Sequence, residues 1–268
     1  MVDIRMATQA DVPAICELWH TAFSKDSEEE CLTFLKAISL CEVCVVACEN
    51  STPISMAFFI PADLRTANRA VPVRYLYAAA TLPSYRNQGI FSQLLRWSHR
   101  RWKEKGEAAC FLNPAEPSLV GFYQRFGYQP VAFCHTIEGT AGSKSLPVTP
   151  LSAGEYPKVR TALLPSESIV WPDSIVQYAA SYGTPVRIGQ TACAFCESNG
   201  RHLRIVDMLG VPQTSQMTVC QALTAWFGCD TFTARFHTQD GACYGMLVCL
   251  DTERLPPTIT PYIGLVFD

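Results

Sequence analysis

The residues best suited to chemistry lie together in one short run. Arg86-Asn87-Gln88-Gly89 is a polar loop with one fixed positive charge and one glycine. That pairing suits an anion: the guanidinium attracts it, and the missing Cβ lets it approach the backbone. An apolar run, Val73 to Ala80, leads into the loop. Beyond it Ile90, Leu94, Leu95 and Trp97 are spaced to put one helix face on a core. Strand, short loop and helix gather unpaired backbone N–H groups at a helix N-terminus, where the dipole also favours negative charge. The residues read as a phosphate cradle. The alternative is an ordinary strand-to-helix turn with a surface arginine, since the loop has one glycine and neither a Walker A loop nor a GxGxxG run is present.

The rest of the chain must position this loop. Residues 2–7 predict a first strand, and Thr8 or Asp11 caps a helix with Ile15, Leu18, Trp19 and Phe23 on one face. Glu28-Glu29-Glu30 opens a second helix, its charges complementing the dipole, with Leu32, Leu35 and Ile38 as its apolar residues. Segments 43–49 and 54–61 read as strands joined by a turn, and 62–72 reads as a loop. The strand feeding the cradle is 73–80, the long helix 89–105, followed by a strand at 108–113, a short helix at 117–126 and a strand at 128–138. This alternation argues for an α/β layer structure with some parallel pairing.

Gly139 to Pro147 is the best linker. After it, 149–180 has weak periodicity, 185–197 and 202–209 read as a hairpin, 214–227 as a helix, and 231–237, 242–250 and 262–267 as strands. This second half reads as a smaller α/β domain, either a degenerate copy of the first half or a fused partner module, with no exact repeat visible.

The chain has 268 residues and a net charge of −3, which gives no electrostatic footprint for nucleic acid. The N-terminus lacks an apolar signal region, and no apolar run approaches the roughly 18–20 residues of a membrane span. Thirteen cysteines are scattered through apolar segments, which suits small reduced core residues in a cytoplasm. Two CxxC pairs, Cys41/Cys44 and Cys193/Cys196, are far apart and beside strand-like sequence, so neither a zinc site nor a thioredoxin-like redox site is expected.

The run Pro83-x-Tyr85-Arg86-x-Gln88-Gly89-Ile90 resembles the acetyl-CoA-binding R/Q-x-x-G-x-G/A motif of GCN5-related N-acetyltransferases (GNAT). Arg86 and Gly89 match its first two anchors, and Phe91 stands where glycine or alanine is usual. Gly121-Phe-Tyr-Gln-Arg-Phe-Gly-Tyr128 is similar to the family's F-Y-x-x-x-G-F/Y segment, and more closely to the Y-G-R-F-G-Y of the Eis-like branch. The opening Ile4-Arg5-x-Ala7-Thr8-x-x-Asp11 matches too, so the resemblance covers roughly residues 1–135.

This resemblance implies a GNAT acyltransferase fold over residues 1–138, beside the linker at 139–152 and the smaller C-terminal α/β domain at 153–268 read from composition and periodicity. It implies transfer of an acetyl group from acetyl-CoA to a primary amine of a small molecule or peptide, with no metal, nucleic acid or membrane. Backbone groups at Ala79, Ala80 and Thr81 would hold the pantetheine and acetyl oxygen, and Arg86, Asn87, Gln88, Gly89, Ile90, Phe91 and Ser92 the pyrophosphate. Asn113 would bond the pantetheine arm, and Tyr123 would protonate the departing thiolate as general acid. The base stays open. Many relatives use a glutamate on the strand before the loop, and Val73-Arg-Tyr-Leu-Tyr-Ala78 has none. Glu116, Glu42, the histidines and, as in the Eis-like branch, the terminal carboxylate at Asp268 are candidates, and bulk water could serve instead. Trp171, Tyr178 and Tyr182 fit a pocket or a core equally. Two other readings are a non-catalytic acyl-CoA-binding or regulatory module and an α/β interaction domain. The acceptor and homo-oligomerisation are left open.

Overall fold

Strands rich in valine, alanine and cysteine alternate with amphipathic helices, and the result is a mixed α/β fold. The computed structural model describes residues 2–143, 146–255 and 258–265. The chain forms two compact units; Leu64–Ala70, Pro130–Gly245 and the residues after Thr258 belong to the second, and the rest, including Met246–Thr258, to the first.

The first unit contains β1 (Asp3–Met6), β2 (Cys44–Glu49), β3 (Thr52–Arg65), β4 (Ala70–Thr81) and β5 (Ala109–Leu112), side by side in that order. The returning segment Met246–Cys249 pairs antiparallel with β5, from Met246↔Leu112 to Cys249↔Ala109. Asn50 and Ser51, both at positive φ, turn β2 into β3. Residues 62–72 are not a loop: β3 runs to Arg65 and β4 starts at Ala70, because Ala62, Leu64, Val71 and Val73 continue the inward alternation.

Helix α1 (Val12–Ala22) follows Asp11, whose carboxylate accepts from the Thr8 amide at 2.7 Å and from Arg5 at 2.8 Å. Helix α2 (Glu28–Ala37) starts at a Ser27/Glu30 capping box. Its buried residues are Cys31 and Phe34, while Leu32 and Leu35 are half-buried and Ile38 lies just past its end. Phe34 packs edge-on to Phe58 of β3 at 5.1 Å and to Tyr77 of β4 at 5.3 Å, and Trp19 joins the same cluster. One aromatic cluster therefore seats both helices on the strand that leads to the loop. Helix α3 (Leu40–Val43) precedes β2, α4 (Ile90–Glu104) follows the loop, and α5 (Val120–Gln124) follows β5.

The second unit contains β6 (Gln129–Thr140), β7 (Val148–Pro150), β8 (Ser168–Val170), β9 (Thr184–Ile188), β10 (Ala192–Asn199), β11 (His202–Leu209), β12 (Thr231–Thr238) and the first half of β13 (Ala242–Cys249). Its sheet runs β6-β12-β11-β10-β9-β7. β11 and β12 pair in parallel, which requires a crossover, and α8 (Gln216–Phe227) supplies it. Leu203, Ile205, Cys220, Leu223 and Phe232 form the core beneath.

Several sequence expectations differ here. The weakly periodic stretch 149–180 holds α6 (Tyr156–Leu163), β8 and α7 (Asp173–Ala180). Segment 185–197 divides at Gly189, whose φ of 57° turns β9 into β10. Gly139, the start of the expected linker, lies in β6; a Cβ there would meet the Phe232 ring at 2.6 Å, so the residue is glycine because an aromatic ring crosses it. Tyr262 makes an isolated bridge with Ser168, and Ile263 to Leu265 are not strand; residues 266–268, including Asp268, lie outside the described residues. Trp171 is buried, whereas Tyr182 is exposed and packs edge-on to Tyr178 at 5.0 Å.

Candidate active site

Strand β4 reaches the loop with its alternation broken. Tyr75 and Leu76 are both buried, and Ala78 sits at φ 45°, a left-handed conformation that re-aims the strand as a bulge does. β4 and β5 pair in parallel from Val73↔Ala109 to Tyr75↔Phe111, after which β5 ends at Leu112 and β4 continues to Thr81. Its last residues, Ala79, Ala80 and Thr81, are small. Ser55 of β3 fixes them: its hydroxyl donates to the Ala80 carbonyl at 2.9 Å and shares a 2.8 Å hydrogen bond with Thr81 Oγ1.

The loop is braced internally and open outwardly. Pro83–Tyr85 forms one turn of 3-10 helix, and the Tyr85 hydroxyl donates to Glu49 at 2.6 Å. Arg86 is exposed; its Nε donates to the Thr81 carbonyl at 3.0 Å, and its terminal nitrogens make no hydrogen bond among the described residues. Gln88 Nε2 donates to the Ser84 carbonyl at 2.8 Å. Asn87 (φ 61°) and Gly89 (φ 73°) both take left-handed backbone. Gly89 is the N-cap of α4, no side chain caps this terminus, and nothing lies within 4 Å of where a Gly89 Cβ would stand. The first amides of α4, at Ile90, Phe91 and Ser92, thus have no side-chain cap, and the space beside Gly89 is clear, which suits an incoming phosphate. The residues present fit a coenzyme pyrophosphate.

Phe91 has a partner that explains its size. Its ring stacks on Phe122 of α5 at 6.0 Å and 22°, tying the first turn of α4 to the helix that carries Tyr123. Arg125 and Arg96 lie over Phe122 and Phe126 at 5.0 and 5.3 Å. Tyr123 is 9% exposed and sits edge-on to Phe122 and to Tyr128, at 5.2 and 5.6 Å. Among the described residues its hydroxyl has no hydrogen-bond partner. Burial pushes the phenol up to about 12, so it holds its proton at neutral pH. Behind it, Tyr128 is fully buried and its hydroxyl pairs with His99 Nε2 at 3.0 Å. Burial lowers His99 to about 4, so the imidazole is neutral. In sequence His99 has no role beyond that of the histidines as candidate bases, although its spacing between Leu95 and Trp102 on α4 is a readable signal of this setting. Asn113, half-buried just after β5, has no side-chain partner among the described residues.

The candidate bases are dispersed. Glu42 is exposed on α3, and Glu116 is exposed and accepts from Ser118 at 3.2 Å. His135 faces Asp240 at 3.4 Å, and His202 lies between Thr231 and Thr233 at 2.9 Å each. Among the described residues, no group of three or more His, Cys, Asp or Glu side chains could hold a metal ion, and no helix is long and apolar enough to cross a membrane.

Residues 3–131 match a family model described as an acetyltransferase (GNAT) domain. A search of curated proteins found no match. Among solved structures, the chain is similar to a GCN5-related N-acetyltransferase from Kribbella flavida, with a TM-score of 0.73, 16% identity, and 94% of this chain and 72% of that one covered. A GCN5-related N-acetyltransferase from Anabaena variabilis gives 0.73, 16%, 94% and 73%. Eis1 from Mycobacterium abscessus gives 0.68, 14%, 94% and 74%. Residues 3–131 are thus similar to a GNAT acetyltransferase domain, and the chain shares the fold of these structures along nearly its whole length.

Proposed function

We propose that the protein transfers the acetyl group of acetyl-CoA to a primary amine by direct attack, with Tyr123 as general acid. The observation that carries this reading is the Tyr123 phenol: buried, protonated at neutral pH and without a hydrogen-bond partner among the described residues. The amine nitrogen attacks the thioester carbonyl carbon, the C–S bond breaks, and the leaving sulfur takes the Tyr123 proton. A phenol can give that proton up to a thiolate only as the charge develops on sulfur, which is the timing a general acid needs. The amine's proton leaves to water or to a base that the described residues do not single out. The open N-terminus of α4, with Arg86 beside it, supports binding of the coenzyme's phosphates. The left-handed backbone at Ala78 and the early end of β5 support a place for the pantetheine along the freed edge of β4.

The test is Tyr123→Phe, assayed by coenzyme A thiol release across a panel of amines. The expected result is a fall in kcat of about 10²–10⁴-fold with coenzyme binding and thermal stability retained. Unchanged kcat across the pH range would remove Tyr123 from the mechanism. Coenzyme binding without thiol release from any amine in the wild type would turn the reading to a non-catalytic acyl-CoA-binding module.

A further inference from the structure

The second unit holds a cleft of about 600 Å³ that the acetyl-transfer reading does not use. It lies among the first residues of β6, the end of β12, the approach to β8 and the segment around Tyr262. Its lining includes Phe133, Glu167, His237 and Tyr262. These four are held in different ways, and the difference points to a ligand.

Tyr262 is fixed from behind. Its hydroxyl donates to Asp207, and Asp207 in turn pairs with Arg160 Nε at 2.7 Å, both side chains 1% exposed. That pair is neutral as a whole. The His237 ring lies against Tyr262 at 4.2 Å and 36°. Its Nε2 accepts the Gly264 amide hydrogen at 3.2 Å. Accepting at Nε2 places the imidazole proton on Nδ1, and Nδ1–H has no partner among the described residues. Burial lowers His237 to about 4, so the ring brings no charge to the cleft at neutral pH.

Glu167 is anchored by its backbone, whose carbonyl accepts from the Tyr262 amide at 3.0 Å. Its carboxylate makes no hydrogen bond or ion pair among the described residues. Arg65, which reaches the same segment, donates instead to the Leu164 and Pro165 carbonyls at 2.7 Å each. The lining therefore carries one unpaired negative charge, no positive charge, unpaired polar atoms at His237 Nδ1 and Thr238 Oγ1, and a set of flat faces. A concave site with a few convergent polar groups among apolar walls is the form small-molecule sites take.

We propose that this cleft binds a small organic amine as its cation, with the ammonium group on Glu167 and an apolar body against Tyr262, His237 and Phe133. Aromatic faces add to the attraction for a cation, and the His237 N–H offers a donor to a hydroxyl or carbonyl on the same ligand. The site is a matter of binding and stands whether or not the first unit transfers acetyl groups.

The experiment is a calorimetric titration of the full chain with 2-phenylethylamine and with the uncharged 2-phenylethanol, in the wild type and in Glu167→Gln. The amine is expected to bind at least tenfold more tightly than the alcohol. Glu167→Gln should lower amine affinity about tenfold, as loss of one charged hydrogen bond does, and leave the alcohol unchanged. In a second measurement on the wild type, the His237 imidazole resonances should shift as amine is added. Equal affinity for amine and alcohol, an unaltered affinity in Glu167→Gln, or His237 resonances that do not move would each overturn the proposal.

Discussion

Arg86 and Arg160 show two uses of one side chain. Arg86 stands in water, bound through one nitrogen to the Thr81 carbonyl, next to a helix terminus whose first amides lack a cap. Arg160 is 1% exposed and paired with Asp207, and its Nη2 is buried with no hydrogen-bond partner. An exposed guanidinium keeps its attraction for an anion and contributes little to the fold. A buried one is costly to desolvate, and its partner becomes indispensable. The loop before α4 thus keeps polar groups ready for a ligand, and the cluster around Arg160 commits them to one another, while Glu167 and His237 stay available at the nearby cleft.

The largest expected effect breaks the buried side of this contrast. Asp207→Ala removes the partner of Arg160 and of the Tyr262 hydroxyl, and should lower unfolding free energy by about 3–5 kcal/mol in urea titration. The double replacement Arg160→Met/Asp207→Leu should recover most of it, because no charge is left unpaired. A loss below about 1 kcal/mol for Asp207→Ala would mean that the pair is solvated in solution and the contrast is false.

The two sides also differed in how far the sequence disclosed them. The cradle is local: Val73 to Trp97 holds strand, loop and helix within one window, and periodicity reads such a window well. The acidic start of α2 at Glu28 and the long helix α4 were legible for the same reason. The pairing of Met246–Cys249 with β5 was not, since residues far apart in sequence meet there and nothing in either segment's composition names the other. Arg160 and Asp207 are likewise two ordinary charges until the fold joins them. Phe91 read as a departure from a motif because its ring partner, Phe122, lies in a different helix. The helices α6 and α7 were missed because each is only two turns long, too short for a helical period to stand out.

Among the described residues each unit has one half-buried imidazole that the loss of solvent around it lowers to about 4 and so keeps neutral, His99 in the first and His237 in the second. The unfolded chain binds these protons near pH 6.5 and the folded chain does not. Their contribution is therefore complete above about pH 6.5 and is lost as pH falls toward 4. Stability measured by urea titration should decline over that window. His99→Gln and His237→Gln should each flatten the decline, by on the order of 1–3 kcal/mol across it. A flat pH profile in the wild type would show that both rings protonate freely.

The exposed side is tested by Arg86→Ala. Coenzyme affinity, read as the thermal shift given by acetyl-CoA, should fall about tenfold, the value of one charged hydrogen bond. Tm without coenzyme should move by less than that of Asp207→Ala by a wide margin, because the lost contact is one bond to a surface carbonyl. A large drop in the coenzyme-free Tm would make Arg86 a structural residue like Arg160.

The smallest effects come from two backbone positions that flank the cradle. Gly89 and Ala78 both hold left-handed φ, 73° and 45°, but only one of them is glycine. Gly89→Ala meets no atom within 4 Å, so its cost is conformational alone, about 1 kcal/mol. Ala78→Gly relieves the same kind of strain and frees the unfolded chain, two terms of similar size, so stability should change by less than about 1 kcal/mol. Stability alone cannot separate the two positions; acetyl-CoA can. A phosphate seated against the α4 amides would meet a new methyl group at residue 89 and lose affinity beyond the loss of stability. At residue 78 the reverse substitution removes a methyl group and loosens the left-handed backbone that aims Ala79 to Thr81, so turnover should fall while phosphate contacts persist. Equal effects of both substitutions on coenzyme affinity would mean that the loop and the strand end act as one flexible segment, and that the pre-formed terminus of α4 is not what holds the anion.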